Sequence, residues 1–259
     1  VHYIARRAWS KRIASSLAWR WIKNFYKPFD LVTAPTHAVR DLLEEHGVDN
    51  VVVVPNGVDA ERFSPRVDHG VVRKLLGIQK NEKIVLVIGR MSEEKNVDVI
   101  INAAEKIVSR NKIRFVVTGD GPALEKYEKL VARKNLSKHF LFKGFVQDAE
   151  LPFYYAACDV MATASTFDTF GLTMLEAMAC GKPVVGANAL AVAELVEHEK
   201  NGFLFKPFDS IDCAEKILCA LNASQAEKKK LSREARKTAL RYSIKESTDN
   251  LLKAYEMVL

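Results

Sequence analysis

Short runs of apolar residues alternate along this chain with longer stretches in which apolar residues recur every three or four positions. Residues 83–88 (KIVLVI) are apolar on both faces, which is typical of a strand buried in a parallel sheet. The same pattern predicts further strands at 113–118, 141–146, 159–164, 182–185 and 201–205, and helices at 97–109, 123–134, 151–157, 174–179, 211–221, 225–241 and 244–258. Strands that alternate with helices in this way predict an α/β fold with a doubly wound parallel sheet.

The part of the chain before residue 63 follows a different pattern. Residues 1–27 read as one or two helices, and a strand–helix–strand unit is predicted after them at 30–35, 37–46 and 51–54. Thr36 can cap the helix of this unit, because a threonine side chain accepts a hydrogen bond from a backbone N–H of the first turn.

The net positive charge of the protein comes from its first 27 residues. The chain of 259 residues has a formal net charge of +7, and this segment carries seven Lys and Arg residues and no acid. On a helical wheel Leu17, Trp21 and Phe25 lie on one side, opposite Arg20 and Lys23. Such a helix suits an anionic membrane surface, and the alternative is a helix packed on its own domain with a solvated basic face. No recognised nucleic-acid-binding motif accompanies the charge, so we expect no nucleic-acid partner.

The overall composition indicates a globular chain of one large or two modest domains. Apolar residues make up 48% of it, and no apolar run approaches the ~18 residues that a membrane span needs. The cysteines lack metal-ligand spacing and the histidines are scattered, so no metal site is predicted. The four cysteines are expected to be reduced core thiols of a cytoplasmic protein, and a disulfide among them is the alternative.

Two acidic residues, Asp168 and Glu176, flank a glycine-containing turn. Gly171 follows Phe170 and precedes Leu172, Thr173 and a run of good helix formers. A helix that begins after a glycine can bind an anion, because its free backbone N–H groups and its dipole point at the ligand. The eight-position spacing of the acids corresponds to about two helical turns. One carboxylate can therefore lie at a reacting centre and the other farther along a bound ligand.

Two other loops follow the first two predicted strands of the sheet. The loop Gly89 to Asn96 carries Arg90 and Lys95, a planar fork and a point charge that can bind an anionic group. The turn Gly119-Asp120-Gly121-Pro122 allows close backbone approach to a ligand. The alternatives are a solvated charged loop and a plain turn between strand and helix. Loops after parallel strands share the carboxyl edge of the sheet, where ligands of such folds bind.

In their order and spacing, these motifs resemble those of the family 4 (group 1) retaining glycosyltransferases, which have the GT-B fold. The resemblance extends over residues 30–258 and includes Pro55-Asn56-Gly57-Val58-Asp59, the loop 89–96, the turn 119–122 and the acid pair. The family usually has Glu at both ends of the pair, whereas this chain has Asp168, which is one methylene shorter.

The GT-B fold has two Rossmann-like domains, and the resemblance implies where each lies here. Residues 1–62 are expected to be a remnant of the N-terminal acceptor-side domain, with most of that domain missing. Residues 63–243 are expected to be the nucleotide-sugar-binding domain, and residues 244–259 a helix that crosses back to the first domain.

The resemblance also implies a reaction. It implies transfer of a sugar from a UDP- or GDP-sugar to a hydroxyl of a sugar, polysaccharide or lipid acceptor. The anomeric configuration is retained, through a front-face ion pair or a covalent intermediate, without a metal ion or cofactor. An alternative is a nucleotide-sugar-binding fragment or membrane-surface module without activity of its own. At the inner face of the membrane, residues 1–27 would make the peripheral contact.

The site residues follow from the same resemblance. Arg90, Lys95 and Asp168 are expected to be catalytic: Arg90 and Lys95 hold the diphosphate and assist its departure, and Asp168 lies at the sugar. Glu176 is expected to accept hydrogen bonds from the ribose hydroxyls. The full set of implied nucleotide-sugar contacts is Gly89, Gly119, Gly121, Gly144, Phe170, Gly171, Leu172, Thr173 and Glu176.

Overall fold

The computed structural model describes the backbone of residues 10–259 and the side chains of residues 15–109 and 111–259. The sequence predictions for residues 1–9 lie outside the described residues. The chain divides into two compact units, one of residues up to Gly57 together with Lys245–Leu259, and one of Val58–Ile244. The assignment of residues 1–62, 63–243 and 244–259 to acceptor-side, donor and crossing roles remains a prediction.

A six-stranded parallel sheet forms the centre of the larger unit, with strand order β5-β4-β3-β6-β7-β8. The strands are β3 Lys83–Ile88, β4 Ile113–Thr118, β5 Phe140–Gly144, β6 Val160–Thr163, β7 Val184–Ala187 and β8 Gly202–Phe205. The helices are α3 Gly70–Leu75, α4 Val97–Ile107, α5 Leu124–Arg133, α6 Leu151–Ala157, α7 Leu172–Ala179, α8 Leu190–Leu195, α9 Ser210–Asn222 and α10 Gln225–Arg241. The predicted doubly wound α/β fold is confirmed.

The two faces of the sheet are covered by different helices. Val85, Val87 and Phe115 point to one face and pack with residues of α4, α5 and α9. Ile84 and Leu86 point to the other and pack with residues of α6, α7 and α10. Successive strand residues alternate between faces, so a strand covered on both sides must be apolar throughout.

The strand order reverses at β3, which pairs with β4 on one side and with β6 on the other. The chain moves outward from β3 through β4 to β5, and then returns to start β6 at the opposite side of β3. The loops that follow β3 and β6 therefore leave neighbouring strands in different directions. Such a switch point opens a crevice at the carboxyl edge of a parallel sheet.

The smaller unit has its own two-stranded parallel sheet, in which β1 Val32–Ala34 pairs with β2 Val51–Val53. It also contains α1 Ser10–Tyr26, α2 His37–Glu45 and most of α11 Ile244–Glu256. Thr36 caps α2 as predicted, by accepting a hydrogen bond from the backbone N–H of Val39. Trp19 of α1 stacks on His46, with 3.8 Å between ring centroids.

Several predicted boundaries are wrong, for local reasons. The strand predicted at 141–146 ends at Gly144, whose positive φ turns the chain, so that Phe145 is exposed although Val146 is buried. The strand predicted at 182–185 begins at Val184, after Pro183, because a proline has no N–H for the sheet ladder. The six-residue helices α3 and α8 were not predicted, because so short a segment shows no clear helical period.

The cysteine prediction is correct for three residues and wrong for one. All four thiols are free, and Cys158, Cys180 and Cys213 are buried, but Cys219 lies on the exposed side of α9. In the part of the chain that the structure describes, no helix is both long enough and apolar enough to cross a membrane.

Candidate functional site

The loop after β3 carries the two predicted cations. Arg90 is exposed and Lys95 is half-buried in a short 3-10 turn formed by Glu93–Lys95. Met91, between β3 and this turn, is buried, and the Tyr127 hydroxyl of α5 donates to the Ser92 carbonyl at 2.9 Å. The loop is therefore held against the domain while its cationic side chains reach outward.

The loop after β4 contacts both the β3 loop and the end of β5 through glycines. The N–H of Gly119 donates to the carbonyl of Gly144 at 2.7 Å, and a Cβ at Gly119 would lie 1.9 Å from the Gly89 carbonyl oxygen. A Cβ at Gly121 would lie 2.4 Å from the Met91 carbonyl oxygen. The glycines predicted as ligand contacts are therefore also required where these loops pack against one another.

Lys95 and Asp168 form an ion pair between the loop after β3 and the loop after β6. The distance from Lys95 Nζ to Asp168 Oδ2 is 3.0 Å, and the side chains are 29% and 20% exposed. Both groups are thus shielded from bulk water on several sides yet remain accessible from the carboxyl edge of the sheet. The pair brings together two of the three residues that were predicted to be catalytic.

Asn96 fixes the relative position of these two loops. Its backbone has a left-handed φ of 48°, which asparagine adopts more readily than most residues. Its side-chain amide donates to the carbonyl of Ala164 at 3.2 Å and to Thr166 Oγ1 at 3.3 Å, just after β6. Sequence reasoning missed this residue, although an asparagine directly after a charged loop and before a helix is a signal for a left-handed position.

The helix α7 begins at the predicted glycine turn. Gly171 is its N-cap with φ of 80°, and no side chain caps the helix. The N–H groups of Leu172 and Thr173 have no acceptor among the described residues, because the first bonds of the helix run from Met174 and Leu175 to the Gly171 carbonyl. These two N–H groups are available to an anion.

The side chains of the glycine turn are placed differently from one another. Phe170 is buried and packs edge to face with Tyr242, 6.3 Å between centroids, so that only its backbone can meet a ligand. Leu172 is exposed and Thr173 is half-buried.

Glu176 lies just over one turn into α7 and accepts a hydrogen bond from the Tyr155 hydroxyl at 2.6 Å. Burial raises the pKa of Glu176 above its ordinary value, while the Tyr155 hydrogen bond and the charge of Arg62 act to lower it. Arg62 itself is paired with Asp148 at 2.6 Å. Tyr155 is fully buried in the core, but its hydroxyl faces a predicted site residue.

A metal site is not evident among residues 15–109 and 111–259, where no group of three or more His, Cys, Asp or Glu side chains could hold an ion. Lys95 is the cation paired with Asp168, and the exposed Arg90 lies on the same β3 loop. The site therefore combines cations, free amide groups and two carboxylates, which is the set of groups that can bind a phosphorylated, hydroxyl-bearing ligand.

Comparison with known proteins identifies families for both parts of the chain. The profile described as "Glycosyl transferases group 1" matches residues 71–238, and that described as "Glycosyltransferase Family 4" matches residues 1–62. Alpha-monoglucosyldiacylglycerol synthase of Streptococcus pneumoniae is 33% identical over 230 residues, which are 86% of this chain and 51% of that protein. Sulfoquinovosyl transferase SQD2 of Arabidopsis thaliana is 32% identical over 211 residues, 79% of this chain and 40% of that protein. The chain thus spans about half the length of the curated relatives it matches.

Solved structures agree with this assignment. Anabaena HepE, solved in complex with UDP and glucose, superposes with a TM-score of 0.85 at 27% identity, over 93% of this chain and 67% of that one. Sucrose-phosphate synthase of Thermosynechococcus elongatus has the same fold, with a TM-score of 0.84 at 23% identity over 98% of this chain and 63% of that one. The chain belongs to the group 1 glycosyl transferase family, and its six-stranded unit is the C-terminal, Rossmann-like domain of the GT-B fold.

Proposed function

We propose that the complete protein transfers a sugar from a nucleoside-diphosphate sugar to a hydroxyl acceptor, and that this chain carries the donor site. The observation that carries the proposal is the Lys95–Asp168 pair, with 3.0 Å between Nζ and Oδ2. In this proposal the Lys95 cation binds the diphosphate and the Asp168 carboxylate faces the sugar, and both belong to loops at the switch point of the sheet. A nucleotide sugar needs a cation at its phosphate and a carboxylate at its sugar, because the phosphate is anionic and the anomeric carbon becomes cationic.

In this proposal the leaving diphosphate is stabilised by protein groups and not by a metal ion. As the bond between the anomeric carbon and the phosphate oxygen breaks, negative charge accumulates on the diphosphate. Lys95 and Arg90 offset that charge from the β3 loop, and the N–H groups at the start of α7 add hydrogen bonds. Gly119 and Gly121 let the backbone approach the phosphates, and Gly144 lies beside the nucleobase.

The two carboxylates have separate roles. Asp168 faces the sugar, where its charge favours the oxocarbenium-like centre, and we propose that the anomeric configuration is retained. Glu176, farther along α7, accepts hydrogen bonds from the ribose hydroxyls. Since Tyr155 takes only Glu176 Oε2, the other oxygen remains for this contact.

The solved neighbours that contain a nucleotide favour a UDP-sugar as donor. Anabaena HepE was solved with UDP-glucose as well as with UDP. The Streptococcus relative is named as a synthase of a glucosylated diacylglycerol, which favours a lipid among the acceptor classes.

Calorimetric titration of the 259-residue chain with UDP and GDP tests the donor site. Binding is expected for at least one of them, and Glu176→Ala and Lys95→Ala should each weaken it about tenfold or more, because each removes a charged partner. Lys134→Ala is the matched control, since Lys134 also forms an ion pair, with Glu105 at 2.6 Å, at the C-terminal end of α5. No binding of either nucleotide, or equal losses in Lys95→Ala and Lys134→Ala, would refute the assignment.

Activity is tested on the complete protein. Incubation with a panel of nucleotide sugars and candidate acceptors, followed by mass detection, should show one glycosylated product. NMR of that product reads the anomeric configuration, and an inverted centre would refute retention. Activity that is lost with EDTA and restored by a divalent ion would refute metal independence. The same assay on the 259-residue chain decides whether this part is active or only binds the donor.

An exposed aromatic stripe supports a second proposal, a peripheral membrane contact through α1. Leu17, Trp21 and Phe25 recur every four residues and are 52%, 67% and 51% exposed. Arg20 and Lys23 add positive charge to the same helix, as expected for a helix that lies on an anionic surface. Co-sedimentation with phosphatidylglycerol vesicles should be lost in Trp21→Ser/Phe25→Ser, and unchanged sedimentation of this variant would refute the contact.

A further inference from the structure

We propose that Tyr155 is a positioning residue of the donor site, which holds one oxygen of the Glu176 carboxylate and leaves the other free for the ligand. The inference rests on the proposed function, in which Glu176 binds the ribose hydroxyls. The inference adds Tyr155 to the donor site as a residue that acts through Glu176, with its ring packed in the core.

The position of Tyr155 leaves its hydroxyl little freedom. The residue lies in α6, is completely buried, and packs edge to face on Phe63 with 5.6 Å between ring centroids. Its hydroxyl donates to Glu176 Oε2 at 2.6 Å, a distance typical of a bond from a hydroxyl to a charged acceptor. A ring fixed by packing therefore sets the orientation of the carboxylate on the neighbouring helix.

The direction of the hydrogen bond is also fixed. Burial, together with the adjacent Glu176, raises the pKa of Tyr155 well above its ordinary value, so the phenol remains protonated and donates. Glu176 Oε1 has no hydrogen-bond partner among the described residues. A carboxylate with one oxygen held and one free presents its acceptor in a fixed direction, which avoids the entropy cost of ordering it on binding.

The hydrogen bond also favours the ionised form of a half-buried acid. The charged and titratable groups that face Glu176 are Arg62, Asp148, Tyr155 and Cys180. Burial and Asp148 raise the pKa of Glu176, whereas Tyr155 and Arg62 lower it. Arg62 already makes its close pair with Asp148, so the Tyr155 hydroxyl is the direct hydrogen-bond donor that supports the charge. Removing it should raise the pKa of Glu176 further.

Tyr155→Phe is the test variant and Tyr154→Phe its matched control. Tyr154 is the preceding residue of α6, is also buried, and its hydroxyl makes no hydrogen bond within the described part of the chain. Both variants lose one buried hydroxyl and keep the ring. A difference between them therefore reports the contact with Glu176 and not a general weakening of α6.

UDP affinity of the 259-residue chain is measured by calorimetry from pH 5.5 to 8.5. Tyr155→Phe should bind UDP about tenfold more weakly than the wild type, because a hydrogen bond to a charged group is lost. Because loss of the hydroxyl raises the pKa of Glu176 further, the loss of affinity should be larger at the acidic end of this range than at the alkaline end. Tyr154→Phe should follow the wild-type profile. Superimposable profiles for Tyr155→Phe and Tyr154→Phe would overturn the inference.

A ligand-free measurement separates this inference from the proposed function. In chains labelled with 13C at the glutamate carboxyl, the Glu176 signal is assigned by its absence in Glu176→Gln. Its titration midpoint should lie higher in Tyr155→Phe than in the wild type, and equal midpoints would overturn the positioning role even if UDP binds. If the wild-type chain binds no nucleotide but the Glu176 midpoint is still higher in Tyr155→Phe, the donor site is refuted and the coupling between Tyr155 and Glu176 is retained.

Discussion

Gly119 lies where the loop after β4 meets the loop after β3, and Gly119→Ala should damage both stability and the donor site. The residue has φ of +119°, a conformation that side-chain-bearing residues rarely adopt. An added Cβ would lie 1.9 Å from the Gly89 carbonyl oxygen and 2.9 Å from its carbon. These are backbone atoms, so the clash can be relieved only if one of the two loops moves.

The magnitude follows from two costs. The unfavourable φ costs about 1–3 kcal/mol, and forcing an extra carbon into a packed region costs about 1–3 kcal/mol more. Against a typical stability of about 5–15 kcal/mol, the variant should still fold. Displacement of the β3 loop should also move Arg90 and weaken UDP binding.

Gly77→Ala provides the control. Gly77 has φ of +63° with nothing within 4 Å of an added Cβ, so it carries the backbone cost without the clash. Thermal unfolding followed by circular dichroism should show Gly119→Ala melting ~2–12 °C below Gly77→Ala, because the clash costs about 1–3 kcal/mol and a domain of this size loses ~2–4 °C per kcal/mol. Calorimetry should show weaker UDP binding for Gly119→Ala alone. Equal melting temperatures and equal affinities would refute the close approach of the two loops.

Three further predictions concern the site. Asp168→Asn should bind UDP as tightly as the wild type or a few-fold more tightly, because it releases Lys95 and removes a negative charge near the diphosphate; a clear calorimetric loss of affinity would contradict the pair geometry. Asn96→Gly keeps the left-handed backbone but loses the hydrogen bonds from the side-chain amide to the loop after β6. We therefore expect a melting temperature lower by a few degrees and weaker UDP binding. Unchanged stability and affinity would show that the amide does not hold the loops together. Glu176→Gln should have a higher melting temperature than the wild type at pH 8, because the raised pKa means that ionisation of Glu176 costs folding free energy there. This gain should fade as the pH falls toward 4.5, the ordinary pKa of a glutamate. A lower melting temperature at pH 8 would contradict the sign of the effect.

The strands at 83–88 and 113–118 are predicted to the residue, and the helix at 225–241 likewise. In the central strands both faces are covered, so burial leaves a continuous apolar run in the sequence. The start of α7 was harder to predict: the helix begins at Leu172, two residues before the predicted range, because Gly171 acts as its N-cap.

Sequence reasoning predicted that Lys95 and Asp168 lie at the same edge of the sheet, since both follow parallel strands. It could not predict their contact at 3.0 Å, because the two residues are 73 positions apart and pairing of β3 with β6 brings them together. Asn96 was missed for the same reason, since its partners after β6 are 68 and 70 positions away.

The sequence by itself determined the class of fold, the succession of strands and helices along the chain, and the chemical groups that reach the carboxyl edge of the sheet. These depend on local periodicity and on residue type, which a one-dimensional pattern retains. Tertiary structure alone decided that Tyr155 supports Glu176, that Phe170 turns inward, and that the glycine loops touch. Those outcomes depend on how α6, α7 and the loops pack in three dimensions, and packing partners that are distant in the chain leave no periodic signal in it.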